Sequence, residues 1–208
     1  MKRKFIFPAV ILCLGILHGC GAARPSKFYQ LAPPSDKTPG ADPAPFPVTL
    51  LLGPITTSHL YRDDRIVYTS NGETMGTYEY QRWAEPPSEM IGDVLLRELQ
   101  ESGRYQHVYS LRSDSRGDYV LRGRLYDFRE ITGNGLAARV AFEFELRDSK
   151  TGGTVWSRSY SHDEPVSSKD VAAVVAALNR NVQSGLSEVM GGLQQYFATH
   201  SETSAAAR

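Results

Sequence analysis

The stretch Arg139-Val140-Ala141-Phe142-Glu143-Phe144-Glu145-Leu146-Arg147 decides the fold. Val140, Phe142, Phe144 and Leu146 alternate with Arg139, Ala141, Glu143, Glu145 and Arg147. Successive strand side chains point to opposite faces, so this period of two predicts a strand with one buried and one wet face. The turn-forming run Asp148 to Gly153 follows, then a second strand pattern over Thr154–Ser161 with Trp156 and Tyr160 on one face. Glu143 and Glu145 set against Arg122, Arg124 or Arg158 would give cross-strand pairs of a few tenths of a kcal/mol each.

Beyond these strands, Ser167-Ser168-Lys169-Asp170 reads as a capping box, with Ser167 as cap and Asp170 in the acidic position. Val171, Val175, Leu178, Val182, Leu186, Val189, Leu193 and Phe197 then recur every three or four residues, the apolar stripe of a long helix. From His200 the Ser, Thr, Ala and Arg composition reads as a disordered tail over 200–208.

Upstream, Asp118–Phe128 and Tyr105–Leu111 read as strands. Before them Ile91, Val94, Leu95 and Leu99 share one helix face, with Pro86-Pro87 at the start and Gly103 at the stop. Ile66-Val67-Tyr68 and Thr77-Tyr78-Glu79-Tyr80 flank Asn71-Gly72, a strand–turn–strand signal. Val48-Thr49-Leu50-Leu51-Leu52 is a continuous apolar run closed by Gly53-Pro54, the pattern of a buried central strand. Phe28-Tyr29-Gln30-Leu31 begins the folded part, and Pro33, Pro34, Pro39, Pro43, Pro45 and Pro47 make 32–47 a loop. The order strands, helix, strands, helix predicts an α+β fold: a mixed, mainly antiparallel sheet with two helices packed on one face.

The N-terminus carries a different signal. Lys2, Arg3 and Lys4 precede an apolar segment from Phe5 to Leu17, long enough for a signal-peptide core and too short to span a bilayer. Leu17-His18-Gly19-Cys20 resembles the lipobox of bacterial lipoproteins. The resemblance implies cleavage after residue 19 and a thioether-linked diacylglyceryl group on Cys20. Gly21, which is not Asp, favours outer-membrane sorting by the same resemblance. The expected organisation is a signal peptide over 1–19, a lipidated Cys and tether over 20–27, and one domain over 28–199. The second cysteine, Cys13, lies in the segment removed, so a mature chain has no disulfide, zinc cluster or thiol nucleophile. The 23 basic and 23 acidic residues balance, and losing Lys2, Arg3 and Lys4 makes the mature chain net −3. That argues against nucleic acid as a partner and against attachment to anionic lipid through a polybasic patch. Acyl chains on Cys20 suffice for stable anchoring.

Motifs for chemistry are few. His59, His107, His162 and His200 show no metal-ligand spacing. Gly133-Asn134-Gly135-Leu136-Ala137-Ala138 matches a dinucleotide fingerprint, but it joins two strand patterns and reads as a hairpin loop. Asp63-Asp64 between Arg62 and Arg65 reads as a solvated turn. No catalytic residue, metal or cofactor is expected. Tyr61, Tyr68, Tyr78, Tyr80 and Trp83 either build the sheet and its corner or serve as interface aromatics.

Tyr61-Arg62-Asp63-Asp64-Arg65-Ile66-Val67-Tyr68 followed by Tyr80-Gln81-Arg82-Trp83-Ala84-Glu85-Pro86 resembles the ABC-type transport auxiliary lipoproteins, the PqiC-like family of MCE lipid-transport systems. Phe28-Tyr29-Gln30-Leu31 and Leu52-Gly53-Pro54-Ile55 fit as well, while Ser58-His59-Leu60 departs from the pattern. The resemblance implies a fold similar to the N-terminal domain of TolB. It also implies a non-enzymatic, outer-membrane accessory lipoprotein on the periplasmic face. Its partners would be an MCE-domain protein with its ABC permease and ATPase, and a homo-oligomeric ring is a further implication. Tyr61, Arg62, Tyr68, Tyr80, Arg82 and Trp83 are the expected partner-interface residues. The alternatives are an assembly lipoprotein of another envelope machine, for secretion or polysaccharide export, and a stand-alone periplasmic lipid-binding protein.

Overall fold

The computed structural model describes residues 24–32, 44–70, 73–133 and 135–206, with the backbone alone over 201–206. The segment expected to be a lipobox, most of the proline-rich connection and the turn expected at Asn71-Gly72 lie outside the described residues. The strands are β1 (Lys27–Tyr29), β2 (Phe46–Thr57), β3 (Arg65–Thr69), β4 (Met75–Trp83), β5 (Tyr105–Ser110), β6 (Tyr119–Thr132), β7 (Leu136–Asp148) and β8 (Thr154–Pro165). The helices are α1 (Pro87–Glu101) and α2 (Val171–Ala206). All eight strands form one mixed sheet, and the helices pack on one face of it, as the sequence predicts.

The longest ladders are antiparallel, β6 with β7 from Tyr119↔Asp148 to Thr132↔Leu136 and β7 with β8 from Ala137↔Pro165 to Arg147↔Thr154. The alternation along β7 holds: Val140, Phe142, Phe144 and Leu146 are buried under the helices, and the partner-facing residues of β6 on that side are Leu121, Gly123, Leu125 and Phe128. Arg122 stands opposite Glu145 and Arg124 opposite Glu143 on the outer face, as expected, whereas Arg158 stands opposite Phe144.

β2 is central, paired in parallel with β5 on one side and β6 on the other. Its apolar run is buried on both faces. Leu50 and Leu52 belong to the helix-covered core, and Leu51 lies against Gly117 of the loop before β6, where a Cβ would come within 2.4 Å of its side chain. The strand does not close at Gly53-Pro54 but continues to Thr57. Its register with β6 shifts between Leu52 and Ile55, which accommodates a proline that has no N–H to donate.

β6 carries two different strands on one edge. β2 follows it as far as Thr57↔Leu125, and β3 begins only at Val67↔Arg129. β6 is bulged there, its register with β7 shifting between Leu125 and Asp127. A 3-10 turn at His59–Tyr61 drops Tyr61 into the notch. That side chain is 2% exposed, and its hydroxyl donates to Asp127 Oδ1 at 3.1 Å. Asp127 in turn pairs with Arg129 at 3.0 Å. Burial, reinforced by the Asp127 charge, pushes the Tyr61 phenol up from 10.0 to about 12.

α1 follows the expected signals. Pro86 sits at its N-cap with Pro87 inside the first turn, and Gly103 just beyond its end has φ 62°. α2 differs in three details. Its N-cap is Asp170, not Ser167: Asp170 Oδ1 accepts the Ala173 N–H at 2.8 Å, and the Ser168 hydroxyl hydrogen-bonds the same carboxylate. The buried stripe uses Val174 and Ala177 with Leu178, Val182, Leu186, Val189, Leu193 and Phe197, leaving Val171 and Val175 half-buried. The helix also continues to Ala206, through residues whose composition reads as a tail; alanine is the strongest helix former.

Inside the α2 stripe sits a fully buried polar residue, Asn181. Its Oδ1 accepts the Tyr160 hydroxyl at 2.7 Å, and its Nδ2 donates to the carbonyls of Ala138 at 2.8 Å and His162 at 2.9 Å. Four residues on, Gly185 lets the helix approach so closely that a Cβ would come within 2.5 Å of the Phe142 ring and 2.7 Å of Tyr160. Near the C-terminal end, Phe197 is ringed by Phe46, Tyr105, Tyr119 and Tyr196 at centroid distances of 5.1–5.7 Å.

Three outcomes follow from this packing. Asn181→Ala strands the Tyr160 hydroxyl and two strand carbonyls in the core, and urea unfolding should read a loss of about 2–4 kcal/mol. Asp170→Ala lowers the thermal midpoint while Ser167→Ala leaves it unchanged. The Ser168 and Ala173 hydrogen bonds hold the Asp170 carboxyl below its ordinary range, so its contribution disappears as pH falls through that lowered value and the D170A deficit shrinks in acid. Tyr61→Phe removes the bond to Asp127 at a cost of roughly 1–3 kcal/mol. Between pH 10 and about 12 the unfolded wild-type chain releases a proton that the folded chain retains, so wild-type stability declines there. A pH series on Y61F should lack that component.

Candidate interaction surface

The two segments that carry the family resemblance form one unit with β1. Arg82 Nη1 pairs with Asp64 Oδ1 at 2.7 Å, and the Asp64 carbonyl accepts the Trp83 N–H at 2.6 Å. On the other side of β4, β1 adds in parallel as Lys27↔Gln81, Phe28↔Arg82 and Tyr29↔Trp83. The Ala84 N–H then donates to the Tyr29 carbonyl at 2.6 Å, and the Tyr29 hydroxyl donates to Gln81 at 2.8 Å. Arg-Trp-Ala-Glu-Pro therefore joins the Asp63-Asp64 turn, the N-terminal strand and the start of α1. Asp63 faces Arg65 at 3.4 Å, which makes the acidic pair part of a charge-balanced turn.

The expected interface residues divide by exposure. Tyr61 and Trp83 are core residues, 2% and 1% exposed. Tyr61 fills the β6 notch, and Trp83 packs on Phe128 at 5.2 Å between ring centroids. Neither ring offers area to a partner, which corrects the expectation for those two. Arg62 is exposed at the end of the 3-10 turn. Tyr68 is half-buried against Tyr78 at 5.1 Å, with Gly76 leaving room for its ring. The Tyr78 hydroxyl donates to the buried Glu130 at 2.7 Å, and burial pushes its phenol up. Tyr80 and Arg82 are half-buried near the β1 edge. Cys20 lies outside the described residues.

The sheet's outer face, away from both helices, carries features that the sequence hides. Arg139 and Asp163 form a two-pronged pair, both contacts at 2.6 Å, and the arginine holds the Asp163 carboxyl below its usual range. Arg129 stands opposite Arg139, and its charge is met by Asp127. Beside them an open groove of about 710 Å³ is lined by Ile131, Thr132, Leu136, Ala137 and these arginines. A second groove of about 470 Å³ runs between Pro54, Arg122, Arg124, Tyr126 and Glu143. Asp127 and Arg129 share one face of β6, two residues apart, whereas Arg139 and Asp163 come from neighbouring strands, and no local motif marks the group. Among the described residues, no group of three or more His, Cys, Asp or Glu side chains gathers to hold a metal, and no helix is long and apolar enough to cross a membrane.

Solved structures share this architecture. Protein XCC0632 from Xanthomonas campestris superposes with a TM-score of 0.73 at 22% identity, covering 85% of this chain and 99% of that one. An uncharacterised protein of known structure gives 0.61 at 14% identity over 80% and 97%. The hypothetical protein CT253 from Chlamydia trachomatis gives 0.50 at 7% identity over 74% and 99%. At these identities the likeness shows the fold alone. A search of functionally curated proteins finds no match. The family model for the ABC-type transport auxiliary lipoprotein component matches residues 29–189, from the first strand to the middle of α2 and through both signature segments. The chain belongs to the ABC-type transport auxiliary lipoprotein family, a family of auxiliary transport components and not of enzymes.

Proposed function

We propose that this chain is an outer-membrane lipoprotein that serves as an accessory subunit of an MCE/ABC-type phospholipid transport system and helps to maintain the envelope. The observation that carries the reading is the family match over 29–189 behind a lipobox ending at Cys20. In this reading residues 1–19 are removed, Cys20 is acylated, 20–27 tether the domain, and acyl chains alone suffice as anchor. The periplasmic domain contacts an MCE-domain protein, which connects it to the permease and ATPase. Arg62, Tyr68, Tyr80 and Arg82 supply the contact, being the members of the expected set that reach the surface. Their mixed aromatic and arginine character suits an interface, where both are enriched. Copies of the chain can complete a ring around the distal end of such a conduit.

Crosslinked full-length protein recovered from outer membranes and analysed by mass spectrometry should yield an MCE-domain protein with its permease and ATPase. Arg62→Glu with Tyr80→Ala should reduce that recovery without lowering the thermal midpoint. Recovery of a secretion or polysaccharide-export machine would move the chain to that assembly. Recovery of bound lipid with no protein partner would make it a stand-alone lipid binder.

A further inference from the structure

We infer that the β1 edge of the domain rests on the bilayer, with the Phe28 side chain entering the headgroup layer as a second contact beside the acyl anchor. The inference depends on the reading that Cys20 carries lipid, and it assigns an orientation that the anchor alone leaves open.

The argument begins with chain length. Eight peptide steps separate Cys20 from Phe28, which at about 3.3–3.6 Å each span less than roughly 29 Å even when fully extended. Any lipid on Cys20 therefore keeps β1, more than any other strand, close to the membrane. The tether does not end in a loose segment. β1 is held by its parallel pairing with β4, by the Ala84 N–H on the Tyr29 carbonyl, and by the Tyr29 hydroxyl on Gln81. Beyond it Leu31 is buried, and the Ala32 N–H donates to Asn179 Oδ1 of α2 at 3.1 Å.

With β1 fixed, the alternation of strand side chains settles which residue faces out. Tyr29 packs toward the core, so Phe28 points to the opposite side, where it is 63% exposed, the highest value among the exposed large apolar residues. A single exposed apolar residue is ordinary on a protein surface. What distinguishes Phe28 is its company. Arg24 and Lys27 are both exposed, and residues 20–31 contain no acidic side chain. Aromatic residues with nearby cations suit the boundary between headgroups and acyl chains. Two basic residues are too few to anchor the domain, consistent with its net charge, but they orient it once the lipid has delivered it.

The mature lipidated chain has no free thiol, so one introduced cysteine takes a nitroxide label specifically. Full-length lipidated Phe28→Cys and Val155→Cys, the latter exposed on β8 across the sheet, are reconstituted into phosphatidylethanolamine–phosphatidylglycerol vesicles. Power saturation with oxygen and with an aqueous nickel chelate should give a several-fold higher oxygen-to-nickel accessibility ratio at position 28 than at 155. Equal, aqueous ratios on protein whose Cys20 is shown by mass spectrometry to be acylated would overturn this inference and leave the lipoprotein reading intact. Low accessibility to both reagents at position 28 would place it against protein and would also overturn it. An unmodified Cys20 in protein from native membranes would remove both readings together.

Discussion

The structure depends on how one edge of β6 is filled. The strand runs from Tyr119 to Thr132, longer than any partner on that side, and two strands share it end to end. Between them lies a stretch where backbone groups would lose their ladder, and a buried backbone group without a partner carries a free-energy penalty comparable to a lost hydrogen bond. Tyr61 occupies that gap, and its hydroxyl engages Asp127 at the β6 bulge. The chain can then leave β2, turn through Asp63-Asp64 and enter β3 without leaving the sheet. Arg82 and the Trp83 N–H secure the turn from β4, which is itself the platform for β1. The tyrosine-rich segment is thus first a solution to a topological problem.

The opposite half of the molecule is set by how close α2 approaches β7 and β8. Gly185 and Gly192 admit Phe142, Tyr160 and Trp156 where a side chain would collide. Asn181 adds direction to contacts that are otherwise non-directional. It satisfies a hydroxyl and two carbonyls, all of which would be costly to bury alone. A buried, fully partnered polar group fixes the rotation and the register of the helix, which an apolar stripe by itself leaves loose.

These two devices leave an open outer face and a β1 edge as the surfaces available for work. The outer face carries the part-exposed pair of Arg139 with Asp163, backed by the buried Arg129 and its partner Asp127, next to an open groove. Such a surface suits contact with other subunits of an assembly, in keeping with a family of auxiliary transport components. The β1 edge brings together exposed basic residues and the exposed Phe28, and the membrane contact inferred above rests on it.

Local patterns determined much of this protein. The period of two in Arg139–Arg147, the apolar run at Val48–Leu52, the prolines before α1 and the stripe of α2 each report which surface an element buries, because burial acts on residues a few positions apart. They sufficed for an α+β sheet with two helices on one face. The family was also legible, because its signature residues sit in two short segments. Tertiary structure alone decided what depends on residues brought together from afar. Nothing in Tyr61 or Trp83 distinguishes a core ring from an interface ring; that follows from the notch in β6 and the position of Phe128. Asp170 prevailed over Ser167 as cap because helical geometry begins at Val171, one residue after it. Asn181 reads as a polar interruption until Tyr160, Ala138 and His162 surround it, and Phe28 reads as an ordinary strand residue until its neighbours leave it facing outward. Periodicity encodes the direction of burial along one element, whereas partners across elements are chosen only when the whole sheet has formed.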